Sequence, residues 1–111
     1  MTMEYTIRFT SRANLDIRDH LNWQTANVSA QSAEVWIQEL LRQTDVIIEN
    51  PLAWPLARAS QRLDVDLRGS HVVIRRQKTH RILFTMIAST VEIVALRHVA
   101  RADLTFDDLS G

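Results

Sequence analysis

The chain has 111 residues, with 13 Lys and Arg set against 13 Asp and Glu, so its formal net charge is zero. Because 46% of the residues are hydrophobic and only two are Gly and two Pro, the composition indicates a folded globular protein and excludes a disordered or collagen-like one. Cysteine is absent, which excludes a disulfide scaffold, thiolate catalysis and Cys-based metal sites. No apolar run has the length of a membrane span or the pattern of a signal peptide. We therefore expect one domain over residues 1–111, located in the cytoplasm.

The zero net charge is the sum of two unequal halves. Residues 1–57 hold four Arg against seven acids, whereas residues 58–111 hold nine basic residues against six acids. Twelve of the thirteen basic residues are Arg, whose planar fork of N–H donors suits carboxylate and phosphate groups. Two interpretations of the basic half stay open. It is a surface that binds an acidic partner, or a solvated face whose arginines pair with nearby acids.

The beginning of the chain predicts a strand and then a helix. Residues 5–10 alternate apolar and polar side chains, the period of a half-buried strand. Ser11 is then a candidate helix cap, and residues 11–25 repeat apolar side chains at the four-residue spacing of a helix. Asp16 and His20 lie four residues apart, so we expect them to pair on the side of this helix.

A second helix is predicted over residues 30–49, where apolar side chains recur at spacings of three and four. Ser29 supplies a capping hydroxyl before it, and Pro51 ends it because proline cannot donate to the helix ladder. Residues 51–69 give no periodic signal and are interpreted as a loop. The three tryptophans are interpreted as packing residues, with Trp23 in the helix hairpin and Trp36 in the core.

Three apolar, β-branched runs follow, over residues 71–76, 80–88 and 91–99. The separators between them have hairpin length, so we expect an antiparallel meander. The whole pattern predicts an α+β fold: a strand, a two-helix hairpin and a three-stranded meander, with the helix pair packed on a mainly antiparallel sheet.

Alternation along the middle strand sorts its side chains between the two faces of the sheet. The more apolar set, which includes Ile82 and Phe84, is expected to face the helices. By the same parity, Arg75 or Arg76, together with Arg81 and Arg97, is expected to project from sheet surfaces near the open face.

Several segments, taken in order, resemble the ParE/RelE superfamily of toxins from bacterial type II toxin–antitoxin modules. The resemblance covers nearly the whole chain. It is carried by Ser-Arg-Ala-Asn-Leu-Asp-Ile (11–17), Asn-Pro (50–51), Leu-Arg-Gly (67–69), His-Arg-Ile-Leu-Phe (80–84) and Val-Ala-Leu-Arg-His-Val-Ala-Arg-Ala-Asp (94–103).

The resemblance implies one of two activities. RelE-like members cut mRNA on the ribosome, and ParE-like members poison DNA gyrase without that catalytic set. Arg81 stands where the nuclease branch keeps an arginine, but its lysines would fall at Val72 and Ile74, and its C-terminal tyrosine near Thr105 or Phe106. The resemblance is therefore closer to the ParE-like branch, which implies a gyrase inhibitor that acts by binding. The alternative is a RelE-like, ribosome-dependent mRNA endoribonuclease, so enzymatic activity is left open with the balance against it.

The candidate site residues follow from these two hypotheses. If the protein is a nuclease, the catalytic candidates are Arg81, His98 and Arg101, because Arg is a poor base and the imidazole of His98 can transfer protons near neutral pH. His71 and His80 are interpreted as strand-edge surface groups. The candidate residues for binding a target or an antitoxin are Arg68, Arg75, Arg76, Arg81, Arg97 and Arg101.

The expected partners follow from the resemblance as well. It implies a cognate antitoxin in a hetero-oligomer, DNA gyrase or the ribosome as the target, no membrane, and no need for direct binding to operator DNA. The sequence has no histidine spacing typical of a metal site and no glycine-rich phosphate loop. We therefore expect neither a metal nor a cofactor.

Overall fold

The computed structural model describes residues 4–57 and 66–100. Two helices and four strands follow one another in the order strand, helix, helix, strand, strand, strand. This order confirms the predicted α+β fold. The elements are β1 (Thr6–Phe9), α1 (Ser11–Asn27), α2 (Ala30–Glu49), one turn of 3-10 helix (Pro51–Ala53), β2 (Arg68–Ile74), β3 (Gln77–Ile87) and β4 (Thr90–His98).

The two helices begin at side-chain caps. The hydroxyl of Thr10 accepts the Ala13 amide N–H at 3.1 Å, so Thr10 caps α1 and the prediction of Ser11 as the cap is wrong by one residue. Thr10 has the extended backbone that a cap requires, whereas Ser11 is already helical. The predicted cap of α2 is confirmed, because Ser29 accepts the Ser32 N–H at 3.0 Å.

The four strands form one mixed sheet in the order β1-β4-β3-β2. β1 pairs with β4 in parallel, and the other two pairings are antiparallel. The helix hairpin connects β1 to the meander, whose last strand, β4, lies beside β1. The sheet is therefore mainly antiparallel, as predicted, with one parallel pair at its edge.

The turn between β2 and β3 lies two residues earlier than predicted. Ile74 pairs with Gln77, so the connection consists of Arg75 and Arg76 alone, with φ of 50° and 68°. Two successive positive φ values are the geometry of a type I′ hairpin turn. Arg75 and Arg76 therefore lie at the hairpin tip, and the expectation that one of them projects from a sheet face is wrong.

The core lies between the helix pair and one face of the sheet. Trp36, Leu40 and Ile47 of α2 are fully buried there against Ile82 and Phe84 of β3. This confirms the predicted helix-facing set of β3 and the predicted core position of Trp36. The opposite face is partly covered by a smaller buried cluster, which consists of Leu67, Leu83 and Ala95.

No helix in the described part of the chain combines the length and apolar character needed to cross a bilayer.

Candidate functional site

Two of the predicted arginines lie side by side on the sheet face opposite the helices. Arg81 of β3 pairs with Arg97 of β4 on one side and with His71 of β2 on the other. Residues directly opposite in antiparallel strands point to the same face, with Cβ atoms roughly 5 Å apart. We call His71, Arg81 and Arg97 the arginine row. The expectation that Arg81 and Arg97 project from the sheet is confirmed.

The charge of this row comes from its arginines. Burial, followed by the positive charges of Lys78 and Arg81, lowers the pKa of His71 below its usual value. His71 is therefore neutral near pH 7, beside two permanently charged guanidinium groups. The planar guanidinium groups of Arg81 and Arg97 carry N–H donors whose geometry suits carboxylate and phosphate groups.

The other predicted arginines do not join this row. Arg68 lies on the helix side of the sheet, where its Nη1 donates to the carbonyl oxygen of Trp54 at 2.5 Å. Arg75 and Arg76 are exposed at the hairpin tip. Arg101 lies outside the described residues. The described arginines of this half of the chain therefore occupy separate positions and do not form one continuous surface.

Arg81 and His98, the two described members of the nuclease set, point away from each other. His98 pairs with His80, one step along the strands from the Arg81–Arg97 pair, and successive side chains alternate between faces. Arg81 therefore lies on the face opposite the helices, whereas His98 lies on the helix side. One bound phosphodiester could not contact both side chains.

His98 belongs instead to a cluster of three histidines. The ring centroids of His20 and His80 are 4.3 Å apart, and those of His80 and His98 are 5.3 Å apart. Trp36 packs on His20 at 4.4 Å. His80 is only 6% exposed, so its interpretation as a strand-edge surface group is wrong. We call His20, His80 and His98 the histidine cluster.

The predicted pairing of His20 with Asp16 is also wrong. His20 Nε2 bonds the side-chain amide of Gln24 at 3.2 Å. Asp16 turns to the sheet, where Oδ2 accepts the Leu96 N–H at 3.0 Å and Oδ1 faces Arg12 Nε at 3.2 Å. Helical spacing allowed the His20 contact, but the unpaired amide of β4 provides a stronger partner for a carboxylate.

The environment favours the neutral forms of His20 and His80. Burial lowers the pKa of His80 to about 3, and the neighbouring His20 and His98 add to the effect. Burial, followed by His98, also lowers the pKa of His20. Burial raises the pKa of Asp16, against the opposing effects of the Leu96 N–H and Arg12. Burial, and after it the neighbouring imidazole rings, explains why the neutral forms of His20 and His80 are favoured.

Hydrogen bonds assign the tautomers of two of these rings. Gln24 Oε1 accepts from the Ser32 hydroxyl at 2.5 Å, so its NH₂ group faces His20 and His20 Nε2 must accept. The Ala100 N–H donates to His98 Nδ1 at 3.1 Å. The protons of the neutral rings are thereby assigned to Nδ1 of His20 and Nε2 of His98.

The histidine cluster lines a cleft of about 590 Å³ between α1 and the ends of β3 and β4. Trp23 and Asp19 of α1 also line it, and Trp23 is 56% exposed, so its interpretation as a packing residue is wrong. We call this the aromatic cleft. Its residues come from segments far apart in the chain, and no motif in the sequence links them. Among the described residues, no group of His, Asp and Glu is arranged to hold a metal ion.

A second groove of about 430 Å³ adjoins this cleft and shares the Trp36 wall. It lies between the start of α2 and the β2–β3 hairpin. Val28 and Val35 form an exposed apolar wall, and Arg75 stands at the edge. We call it the hairpin groove. A groove with an apolar wall and one basic edge suits an amphipathic segment that carries acidic residues.

The fold and these surfaces define an α+β protein in which a helix pair covers one face of a mixed four-stranded sheet. No protein-family model and no curated protein matches the sequence. Among solved structures, a chain of the chromosomal ParDE TA system from P. aeruginosa has a similar structure, with a TM-score of 0.67 and 15% sequence identity. The similarity covers 89% of this chain and 99% of that one. At this identity it shows a shared fold, the one that the sequence resemblance implies.

Proposed function

We propose that this protein is the toxin of a type II toxin–antitoxin module, of the ParE-like kind. It would act in the cytoplasm by binding a large protein target, which the sequence resemblance indicates to be DNA gyrase. The observation that supports this proposal most directly is the fold shared with the ParDE chain over nearly the full length of both proteins.

The site geometry favours binding over chemistry. RNA cleavage through the 2′-hydroxyl needs a base, an acid and cations that hold the phosphate. Arg81 can supply only the last of these, and His98 points to the other face of the sheet. The arginine row is suited to hold acidic groups of a protein target without transferring protons.

A cognate antitoxin would neutralise the toxin in a hetero-oligomer. The hairpin groove suits an amphipathic helix whose apolar side contacts Val28 and Val35. Acidic residues beside that helix would meet Arg75 and Arg76 at the hairpin tip. The antitoxin can bind operator DNA by itself, so the toxin needs no contact with DNA.

The proposal is tested by induced expression followed by an assay of gyrase supercoiling with purified protein. We expect growth arrest, rescue by a small neighbouring reading frame, and inhibition of supercoiling. The double variant Arg81→Ala/Arg97→Ala should lose inhibition while it remains folded. Arg42→Ala is the matched control, because Arg42 pairs with Glu39 on the surface of α2.

Two results would contradict the ParE-like assignment. One is unchanged supercoiling at a stoichiometric excess of toxin. The other is cleavage of ribosome-bound mRNA that stops in His98→Ala or Arg81→Ala, which would establish the RelE-like alternative.

A further inference from the structure

The aromatic cleft has features that the proposed function does not use. Its volume of about 590 Å³ falls within the range of roughly 300 to 1,000 Å³ that small-molecule sites occupy. It lies on the helix side of the sheet, away from the arginine row. It combines an exposed indole, a carboxylate and a buried N–H donor that has no acceptor among the described residues.

The indole and the carboxylate come from one face of α1. Asp19 and Trp23 are four residues apart, a spacing that places side chains next to each other on a helix, and both line the cleft. The Trp23 ring lies nearly parallel to the His20 ring, with an interplanar angle of 18°. Its exposed area gives a flat ligand an aromatic surface on which to stack.

The buried donor is Trp36. This side chain is 1% exposed, and its Nε1 has no hydrogen-bond partner within residues 4–57 and 66–100. Buried N–H groups without acceptors are rare because the lost hydrogen bond to water is costly. Trp36 lines the cleft, and so does His98, whose Nε2 carries a proton in the neutral form. The cleft thus favours a ligand with acceptor atoms.

The charge of the lining argues against an anionic group inside the cleft. None of the described residues that line the cleft is Lys or Arg. Asp16 already binds the Leu96 amide and Arg12, which leaves the exposed Asp19 carboxylate for a ligand. A carboxylate with two oxygens matches two adjacent N–H donors. The part of the ligand that enters the cleft should therefore be flat and uncharged, with paired donors on one edge and acceptors on another.

Guanine has this combination of groups. We propose that the aromatic cleft binds a guanine base, which stacks on Trp23, donates N1–H and N2–H to Asp19, and accepts at O6 and N7 from ring N–H groups. Adenine lacks the paired adjacent donors, and pyrimidines offer a smaller surface for stacking. The base can belong to a free nucleotide or to a single-stranded RNA, since both present the same edges.

The test is calorimetric titration of the full chain with nucleosides. Guanosine should bind. Inosine, which lacks the N2 amine, should bind about tenfold more weakly than guanosine, and adenosine and cytidine should bind more weakly still. Equal affinity for all four nucleosides, or no binding of guanosine, would overturn the proposal. Comparison of GMP with a short single-stranded RNA that holds one guanine then identifies the source of the base. Tighter binding of either one supports the base site.

Variants connect the binding to the named groups. Asp19→Asn should weaken guanosine about tenfold and remove the preference over inosine, and Trp23→Ala should weaken all purines. Asp45→Asn is the matched control, because Asp45 is an exposed carboxylate of α2 that does not line the cleft. Unchanged guanosine affinity in folded Asp19→Asn would overturn the assignment. Growth arrest and supercoiling inhibition test the arginine row separately, so the two proposals can fail independently.

Discussion

Thr10 joins the first helix to the sheet through a single hydroxyl group. Its oxygen caps α1 by accepting the Ala13 N–H, and the same hydroxyl donates to the Val94 carbonyl of β4 at 2.8 Å. Loss of a helix cap typically costs about 1 kcal/mol, and a half-buried carbonyl left without its donor adds to that cost.

We therefore expect Thr10→Ala to lower the free energy of unfolding by about 1 to 2 kcal/mol. Thr10→Ser keeps the hydroxyl and should recover most of this loss. Ser11→Ala is the control and should change stability by less than about 0.5 kcal/mol, because Ser11 is exposed and does not cap the helix. Urea denaturation of the three variants measures the difference. Equal losses for Thr10→Ala and Ser11→Ala would contradict the assignment of Thr10 as the cap.

At the scale of elements, the β2–β3 hairpin carries strain in its turn. Arg75 and Arg76 both have left-handed backbone, which costs about 1 kcal/mol or more for each residue that has a Cβ atom. Asn-Gly is the sequence that type I′ turns favour. A turn that keeps two arginines at this cost fits the role proposed for the hairpin tip in binding acidic residues.

The double variant Arg75→Asn/Arg76→Gly should therefore raise the free energy of unfolding by about 1 to 2 kcal/mol. If the hairpin tip binds the antitoxin, the same variant should bind it more weakly, so stability and affinity move in opposite directions. Thermal unfolding and a binding titration measure the two effects. Lys78→Ala, an exposed change beyond the turn, should leave stability within about 0.5 kcal/mol. A destabilised double variant would argue against a type I′ turn.

The elements also show how much of this structure could be predicted from the sequence. The α2 helix was predictable because its buried side chains recur at spacings of three and four. The β2–β3 turn was predicted in the wrong place because residues 77–79 are polar, whereas Arg75 and Arg76 carry no turn signal. Alternation along β3 identified Ile82 and Phe84 as helix-facing, because this pattern is also local in the sequence. The aromatic cleft was not predictable, since residues from α1, α2 and three strands meet there only after the chain folds.

At the scale of the whole molecule, the zero net charge separates into distinct environments. The arginine row lies on one face of the sheet, and the histidine cluster, in which His20 and His80 have lowered pKa values, lies on the other. The two faces therefore respond to different conditions. Salt screens the partly exposed arginines of the row, whereas acid acts on the buried His80.

The acid response has a defined sign. His80 has a pKa of about 3 in the folded protein and about 6.5 in the unfolded chain, so between these values the unfolded state binds the proton. The stability that depends on neutral His80 is fully present above pH 6.5 and is lost as pH falls towards 3. His20 acts in the same direction, since its pKa is also lowered. Asp16, whose pKa is raised, acts in the opposite direction over the lower part of this range.

A variant without an ionisable side chain at position 80 isolates the part of the acid-induced loss of stability that is due to His80. His80→Phe keeps a buried ring beside Trp36 and removes the proton site. Between pH 7 and pH 4.5 the unmodified protein should lose about 2 kcal/mol more free energy of unfolding than this variant. Each pKa unit corresponds to about 1.4 kcal/mol, and partial solvation of the His80 ring reduces the full value. His71→Asn, a change on the other face of the sheet, should keep most of the acid loss. Urea denaturation at the two pH values measures all three proteins, and parallel curves for the unmodified protein and His80→Phe would show that His80 is not held neutral by the fold.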